Sequence, residues 1–175
     1  MRMVETVKYE ILRKIGEVEI RQYPEILLAT VTGIEDDSSF GILFNYISGQ
    51  NQSRKKLAMT SPVISSEKIS MTAPVISNGR FFTFALPGHY TMETVPKPDD
   101  RRVNIHIQPA RIFAVLRFSG RANPIVVERK SGELLKTLAE NEIPTRGDIF
   151  LMRYNSPFAP GFMRRNEVGI EVTGQ

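Results

Sequence analysis

The 175-residue chain has no cysteine, no tryptophan and only two histidines. Without cysteine it has no disulfide framework, thiolate zinc site, iron–sulfur cluster or cysteine nucleophile. His89 and His106 form no HxxxH or HxH pair, so zinc and non-haem iron chemistry lack their usual ligand spacing. Charge interrupts every apolar run. The longest uncharged stretch, Ser38–Ser53, holds Asn45, Asn51 and two glutamines, so no segment reads as a bilayer span. The opening MRMVETVKYE has no apolar core of a secretory signal, which makes a cytoplasmic location the expectation. GxSxG, a Walker loop, GxGxxG and HExxH are all missing. Ser61 and Ser156 precede prolines, as turn residues do. Asp36-Asp37 reads as helix capping and Asp99-Asp100 as a solvated turn. With no nucleophile–base constellation in view, binding is expected rather than catalysis.

What is present describes a globular chain: 41% hydrophobic, 24% charged, net charge +4. The positive excess lies in 15 arginines against 8 lysines. The clusters Arg54-Lys55-Lys56, Arg101-Arg102 and Arg164-Arg165 suit solvated surface or an anionic ligand. RNA binding ranks last, because basic and aromatic residues do not interleave on one strand.

Two stretches resemble each other: Ile20–Gly33 and Ile107–Gly120, an offset of 87. Leu57–Pro62 and Met152–Pro157 repeat the pattern at an offset of 95. The extra eight residues are about two helical turns, so the second helix should be longer. One domain over 1–175 is expected, made of two pseudo-repeats at about 8–93 and 102–173. The first helix starts near Asp36–Ser38, shows Phe40, Leu43, Phe44 and Ile47 on one face, and stops at Gly49. The second runs from the cap Asn123, through Pro124, to about Asn141, with Val127, Leu134, Leu135 and Leu138 on its face. Strands are expected at Tyr9–Lys14, Val18–Tyr23, Ile26–Thr32, Lys56–Thr60, Ile69–Ile76 and Phe81–Leu86. Four more follow at Val103–Gln108, Ile112–Ser119, Ile149–Tyr154 and Glu167–Val172. Two long helices on mostly antiparallel strands is an α+β fold.

Three features carry chemical interest. Met59-Thr60-Ser61-Pro62-Val63 recurs twelve residues on as Met71-Thr72-Ala73-Pro74-Val75. The pair reads either as two strand ends on one core or as a soft wall for a flat apolar ligand. The loop Tyr154–Phe162 carries three aromatics, which are costly unless protein or ligand covers them. Glu167 follows Arg164-Arg165-Asn166, and either pairs with its neighbours or sits in a pocket.

On these residues the chain resembles the SOUL haem-binding-protein family. The resemblance covers about Tyr9 to Val172. It rests on Tyr9-Glu10, Val18–Tyr23, Lys56–Val63, Lys68–Val75, Phe118-Ser119-Gly120, Gly147–Phe150 with Tyr154–Pro157, and Arg164–Val168. It implies a pseudo-twofold, distorted β-barrel domain, similar also to the bacterial effector-binding fold of gyrase-inhibitory-like regulators. It implies a bound haem or other tetrapyrrole, not required for folding. Histidine ligation is not expected, because Gln22 stands where histidine-using members carry histidine. Met59, Met71 and Tyr154 are alternative iron ligands in principle. The expected groove is walled by Phe40, Phe44, Ile47, Met59, Met71, Tyr154, Phe158 and Phe162, with Arg54, Lys55, Lys56 or Arg164 meeting the propionates. The competing reading is an effector-binding, sensor or small hydrolytic domain holding an amphiphile over Glu167. A domain with no small ligand is the third.

Overall fold

Among the described residues, period-two alternation of apolar and polar residues marks the nine strands of the main sheet, and 3.6-residue periodicity the two long helices. In chain order they are β1 (Glu10–Ile15), β2 (Val18–Tyr23), β3 (Ile26–Thr32), α1 (Asp36–Ser48), β4 (Val75–Ser77), β5 (Phe81–Ala85), β6 (Asn104–Gln108), β7 (Arg111–Ser119), α2 (Pro124–Glu140), β8 (Thr145–Arg153) and β9 (Arg165–Val172). The computed structural model describes residues 4–54, 65–155 and 158–175. The strands form one curled sheet in the order β6-β3-β5-β4-β8-β9-β7-β2-β1, antiparallel at every step. Two short ladders lie outside it: Glu5–Thr6 with Thr72–Ala73, and Asn51–Gln52 with Lys97–Pro98.

The succession β2-β3-α1-β4-β5 is followed by β6-β7-α2-β8-β9. The first strand of each set pairs with the second strand of the other: β2 with β7, and β6 with β3. Both helices cover the same, outer face of the sheet. Under α1 lie Ala29, Val31, Phe82 and Phe84. Under α2 lie Val18, Ile20, Ala114, Leu116, Val168 and Ile170. The opposite parity of the same strands faces inward, where Tyr23, Phe113, Val115 and Met152 form a third cluster.

The sequence placed β2 and β3 at their observed bounds. It differed elsewhere for local reasons. The expected strand Ile69–Ile76 breaks at Pro74, which has no N–H for the ladder. Strand β8 begins four residues before Ile149, because its polar start, Thr-Arg-Gly-Asp, hides the alternation. Lys56–Thr60 lies outside the described residues.

Helix α1 is capped at Glu35 with no side-chain cap bond, not by the Asp36–Ser38 side chains. Asp36 and Asp37 sit instead in the first turn, opposite the positive end of the helix dipole. Its buried stripe is Ser39, Ile42, Leu43, Tyr46 and Ile47. That is rotated from the expected Phe40–Leu43–Phe44–Ile47 face. The small Ser39 packs close, donating to Ile34 O at 3.1 Å. Tyr46 is drawn in by its hydroxyl, which donates to Pro96 O at 2.6 Å. In α2, Asn123 Oδ1 accepts from Val126 N at 2.9 Å with Pro124 in the first turn, as expected. Leu134 and Leu138 are buried, but Leu135 is exposed rather than on the core face.

Candidate functional site

The inner face of the sheet holds a half-open cavity of about 520 Å3. Small-molecule sites span about 300–1,000 Å3. Alternation along each strand selects its walls. Strand β3 offers Ile26, Leu28, Thr30 and Thr32; β5 offers Phe81, Thr83 and Ala85; β6 offers Asn104, His106 and Gln108. Across the sheet, Ile76, Phe150, Met152, Phe113 and Tyr23 complete an apolar surface. Phe113 packs edge-on against Phe150 at 5.2 Å and against Tyr23 at 5.6 Å. The second Met-Thr-x-Pro-Val copy contributes Pro74 to this wall, while its Met71 packs under α1. A second, more polar cleft of about 570 Å3 lies across the Val7–Ile26 wall.

Within the apolar wall sits one polar chain. Thr30 and Thr83 are cross-strand partners with their hydroxyls 2.8 Å apart. Thr30 Oγ1 also lies 2.9 Å from His106 Nε2. Burial, and then the Arg111 charge, push the His106 imidazole below its ordinary value, so it is neutral at pH 7. At the rim, Arg111 reaches Glu171 at 4.0 Å and Asp148 is held by Arg80 at 3.3 Å. Arg146 also lines the cavity and, among the described residues, makes no ion pair. The lining thus carries two cations, Arg111 and Arg146, beside two acids, Asp148 and Glu171, and Arg146 is the cation left outside an ion pair to meet an anionic group.

Two glycines shape the wall. Gly147, at φ +75°, lies within a register shift of β8 between Arg146 and Phe150. Such a bulge re-aims the side chains beside it, and Arg146 and Phe150 are both in the cavity. On β9, a Cβ at Gly169 would fall 2.7 Å from the Phe150 ring. Gly169→Ala should therefore push Phe150 into the cavity. The expected cost is about 1–3 kcal/mol of stability, as for other overpacked sites, together with weaker ligand binding. A denaturant midpoint and a ligand titration unchanged from the parent would refute this packing.

Beyond Tyr23 the inner face turns ionic. Arg21 and Glu167 are fully buried and paired through both oxygens, at 2.8 and 2.7 Å. Arg21 Nε also donates to Glu19 at 2.7 Å, and Arg165 to Glu167 at 3.0 Å. The Arg21 guanidinium lies over the Tyr9 ring at 4.0 Å, and that of Arg165 over Tyr154 at 4.1 Å. Burial alone would raise the Glu167 pKa, but the Arg21 hydrogen bonds and charge, with Tyr154 and Arg165 beside it, hold it below its ordinary value. The Tyr154 hydroxyl is buried without a well-formed hydrogen bond, and burial followed by the Glu167 charge raises its pKa. Glu167 is thus closed off by two guanidiniums. An amphiphile centred on it would have to displace one of them.

The expected groove residues are distributed differently from the cavity. Phe40 is half-buried against Phe82 and Phe84 and stacks on Phe44 at 5.9 Å. Phe44 is 47% exposed, and Ile47 is in the core. Arg54 donates to Met92 O at 3.1 Å. Tyr154 lies on the inner face, and Arg164 Nε donates to Ala159 O at 2.9 Å. Phe158 and Phe162 are solvent-exposed beyond β8. Met59, Lys55 and Lys56 lie outside the described residues. The structure brings Phe40 and Phe44 together but not with Phe158 and Phe162. The 3-10 turn Gly161–Met163 rests on β7, four strands from the β5 that carries α1. At about 4.8 Å per strand that is roughly 19 Å. Gln22 is exposed and shares the parity of Val18 and Ile20, on the face away from the cavity. His89 is exposed in a loop against Tyr90. The residues missed in the sequence are Thr30, Thr83, Arg111, Phe113, Arg146 and Phe150. Their signal was strand parity, legible only once it is known which face the helices cover.

Among curated proteins none matches the chain. Among solved structures, the C-terminal domain of EcmrR is similar over 95% of this chain and 99% of that one, with a TM-score of 0.56 and 10% identity. EcmrR in an EcmrR–DNA complex matches over 90% of this chain and 57% of that one, with a TM-score of 0.56 and 8% identity. At such identities the likeness is one of fold. The model of the SOUL heme-binding protein family matches residues 4–171, nearly the whole length, and the chain belongs to that family.

Proposed function

We propose that the protein is a cytoplasmic carrier or buffer for haem or a related tetrapyrrole, and that the macrocycle lies in the inner-face cavity. The observation that carries this reading is the cavity itself: about 520 Å3, with an apolar wall of Ile76, Phe113, Phe150 and Met152 facing the strand that carries Thr30, and with Arg146 at its rim. A porphyrin face supplies binding energy in proportion to the apolar area it loses to water, at about 25 cal/mol per Å2. Its propionates need a cation at the edge, which Arg146 and, with Glu171 displaced, Arg111 provide. The donor set fits the macrocycle better than it fits the metal. His106 Nε2 is engaged by Thr30, and Met152 is packed in the inner cluster. Bound haem would bring a redox-active iron, while this chain's residues hold and orient the ring. The chain is read as a single domain of two repeats, about 8–93 and 102–173, with the cavity where their strands meet. A second reading seats the ring on α1, where Phe44 is exposed and stacked on Phe40. An effector-binding role for another amphiphile would use the same cavity.

The test is a titration with haemin, metal-free protoporphyrin and its dimethyl ester, read by absorbance and tyrosine quenching. Haemin and protoporphyrin should bind within about threefold of one another, and the ester at least tenfold more weakly. His106→Ala should leave haemin affinity within about threefold, roughly 0.7 kcal/mol, with an unchanged Soret band. Arg146→Glu should weaken both acids and spare the ester. A changed Soret band in His106→Ala would establish iron ligation instead. Failure of all three porphyrins to bind would end the tetrapyrrole reading.

A further inference from the structure

The loop joining β8 to β9 is pinned at its base and apolar at its tip. Tyr154 N donates to Arg165 O at 3.1 Å, and Arg165 N to Asn155 Oδ1 at 2.6 Å. Beyond this clasp Phe158 is 95% exposed, Phe162 80% and Met163 63%. Single exposed apolar side chains are ordinary on a surface, but a cluster of them marks a contact site. The turn at Gly161 rests against Arg121, four residues before Ile125, which is 78% exposed at the start of α2.

The two segments that form the tip are basic, with the acid Glu128 lying one helical turn beyond Ile125. From Ile149 to Asn166 the sequence has three arginines and no acid, and from Arg117 to Val127 two arginines and no acid. Arg121 is exposed and makes no ion pair among the described residues. We propose that this tip docks the protein on the surface of an anionic lipid bilayer. Phe158, Phe162, Met163 and Ile125 enter the interface, and Arg121 meets lipid phosphates and carboxylates. Aromatic side chains flanked by cations are the combination that interfacial docking requires, since apolar burial and attraction to acidic lipid add. A second copy of the chain fits less well. A twofold pairing through the tip would set these arginines against their own copies, and like charges repel. The inference is independent of the ligand. It does give a carrier of an apolar molecule a place to collect or deliver its cargo.

The experiment floats the full chain with vesicles of neutral phosphatidylcholine, or with about 30% phosphatidylserine added, at low and high salt. Binding should appear on the anionic vesicles, fall at least tenfold in high salt, and be at least tenfold weaker on neutral ones. Phe162→Trp introduces the sole tryptophan, whose emission should shift to the blue on anionic vesicles. Phe158→Ser/Phe162→Ser should lose at least tenfold in binding with an unchanged Tm, and Arg121→Glu should lose severalfold. No flotation with either vesicle, or flotation undiminished in the double variant, overturns the proposal. So does sedimentation showing that Phe158 and Phe162 hold a dimer or an acidic protein while vesicles stay unbound. The porphyrin titration is read separately, so failure here leaves the ligand site standing.

Discussion

Arg21→Leu should lower the unfolding free energy by about 3–5 kcal/mol, the usual cost of removing one partner of a buried ion pair. The reason is what the change leaves behind. Arg21 satisfies both oxygens of Glu167, holds Glu19, donates to the Tyr23 hydroxyl at 3.0 Å and covers the Tyr9 ring. Without it two carboxylates face one another, with Arg165 alone to compensate. Glu167 cannot reach water, because it is fully buried. Arg21→Leu/Glu167→Leu should recover most of the loss, since two apolar residues of similar size replace the pair without stranding a charge. The pH dependence follows from the sign of the Glu167 shift. Its folded pKa lies below the ordinary 4.5, so its contribution is fully present above about pH 4.5. That contribution is lost as pH falls through the folded value, where the proton neutralises the carboxylate and leaves Arg21 unpaired. Urea midpoints between pH 7 and pH 3 should therefore be flat first and then fall in the parent, with a shallower fall in the double variant. A single variant as stable as the parent, or a double variant as acid-labile, would show that the pair does not carry this stability.

The fold was legible in the sequence wherever one residue decides the local structure. Asn123 with Pro124 opened α2, Gly49 closed α1, and the alternation in Val18–Tyr23 and Ile26–Thr32 fixed two strands at their bounds. The site was less legible, because a strand shows two faces and its sequence does not say which one a helix covers. In β3, Ala29 and Val31 pack under α1 while Leu28 and Thr30 line the cavity, and both sets are small or apolar. His106 was visible as a strand residue. Its link to Thr30 and Thr83 depends on β6 crossing from the second half of the chain to pair with β3, a long-range pairing that no local pattern encodes. The same limit affected α1. Phe44 has the apolar character of a core residue, but the helix turns it outward because Ser39 and Tyr46 find partners on the inside.

That rotation of α1 makes the two candidate ligand sites separable by mutation. Leu43 and Ile47 are buried in the core beneath α1, whereas Phe44 is 47% exposed and stacks on Phe40. Leu43→Ala and Ile47→Ala should each cost about 2–5 kcal/mol, as core truncations do. Phe44→Ala should cost less, since about half of its surface stays in water on folding. Ligand affinity separates the sites independently of stability. If the porphyrin lies on the inner face, all three variants bind haemin like the parent wherever they are folded, and an obstruction at the mouth of the cavity blocks it. Thr32 is exposed yet lines that cavity, so Thr32→Trp places a large ring there with little strain in the core. Haemin affinity should fall at least tenfold in Thr32→Trp and stay within about threefold in Phe44→Ala, a gap of roughly 0.7 kcal/mol or more. The converse result, loss in Phe44→Ala with Thr32→Trp unaffected, would move the macrocycle to the outer face. There it would stack on Phe44 and Phe40, and the inner cavity would be left to another ligand.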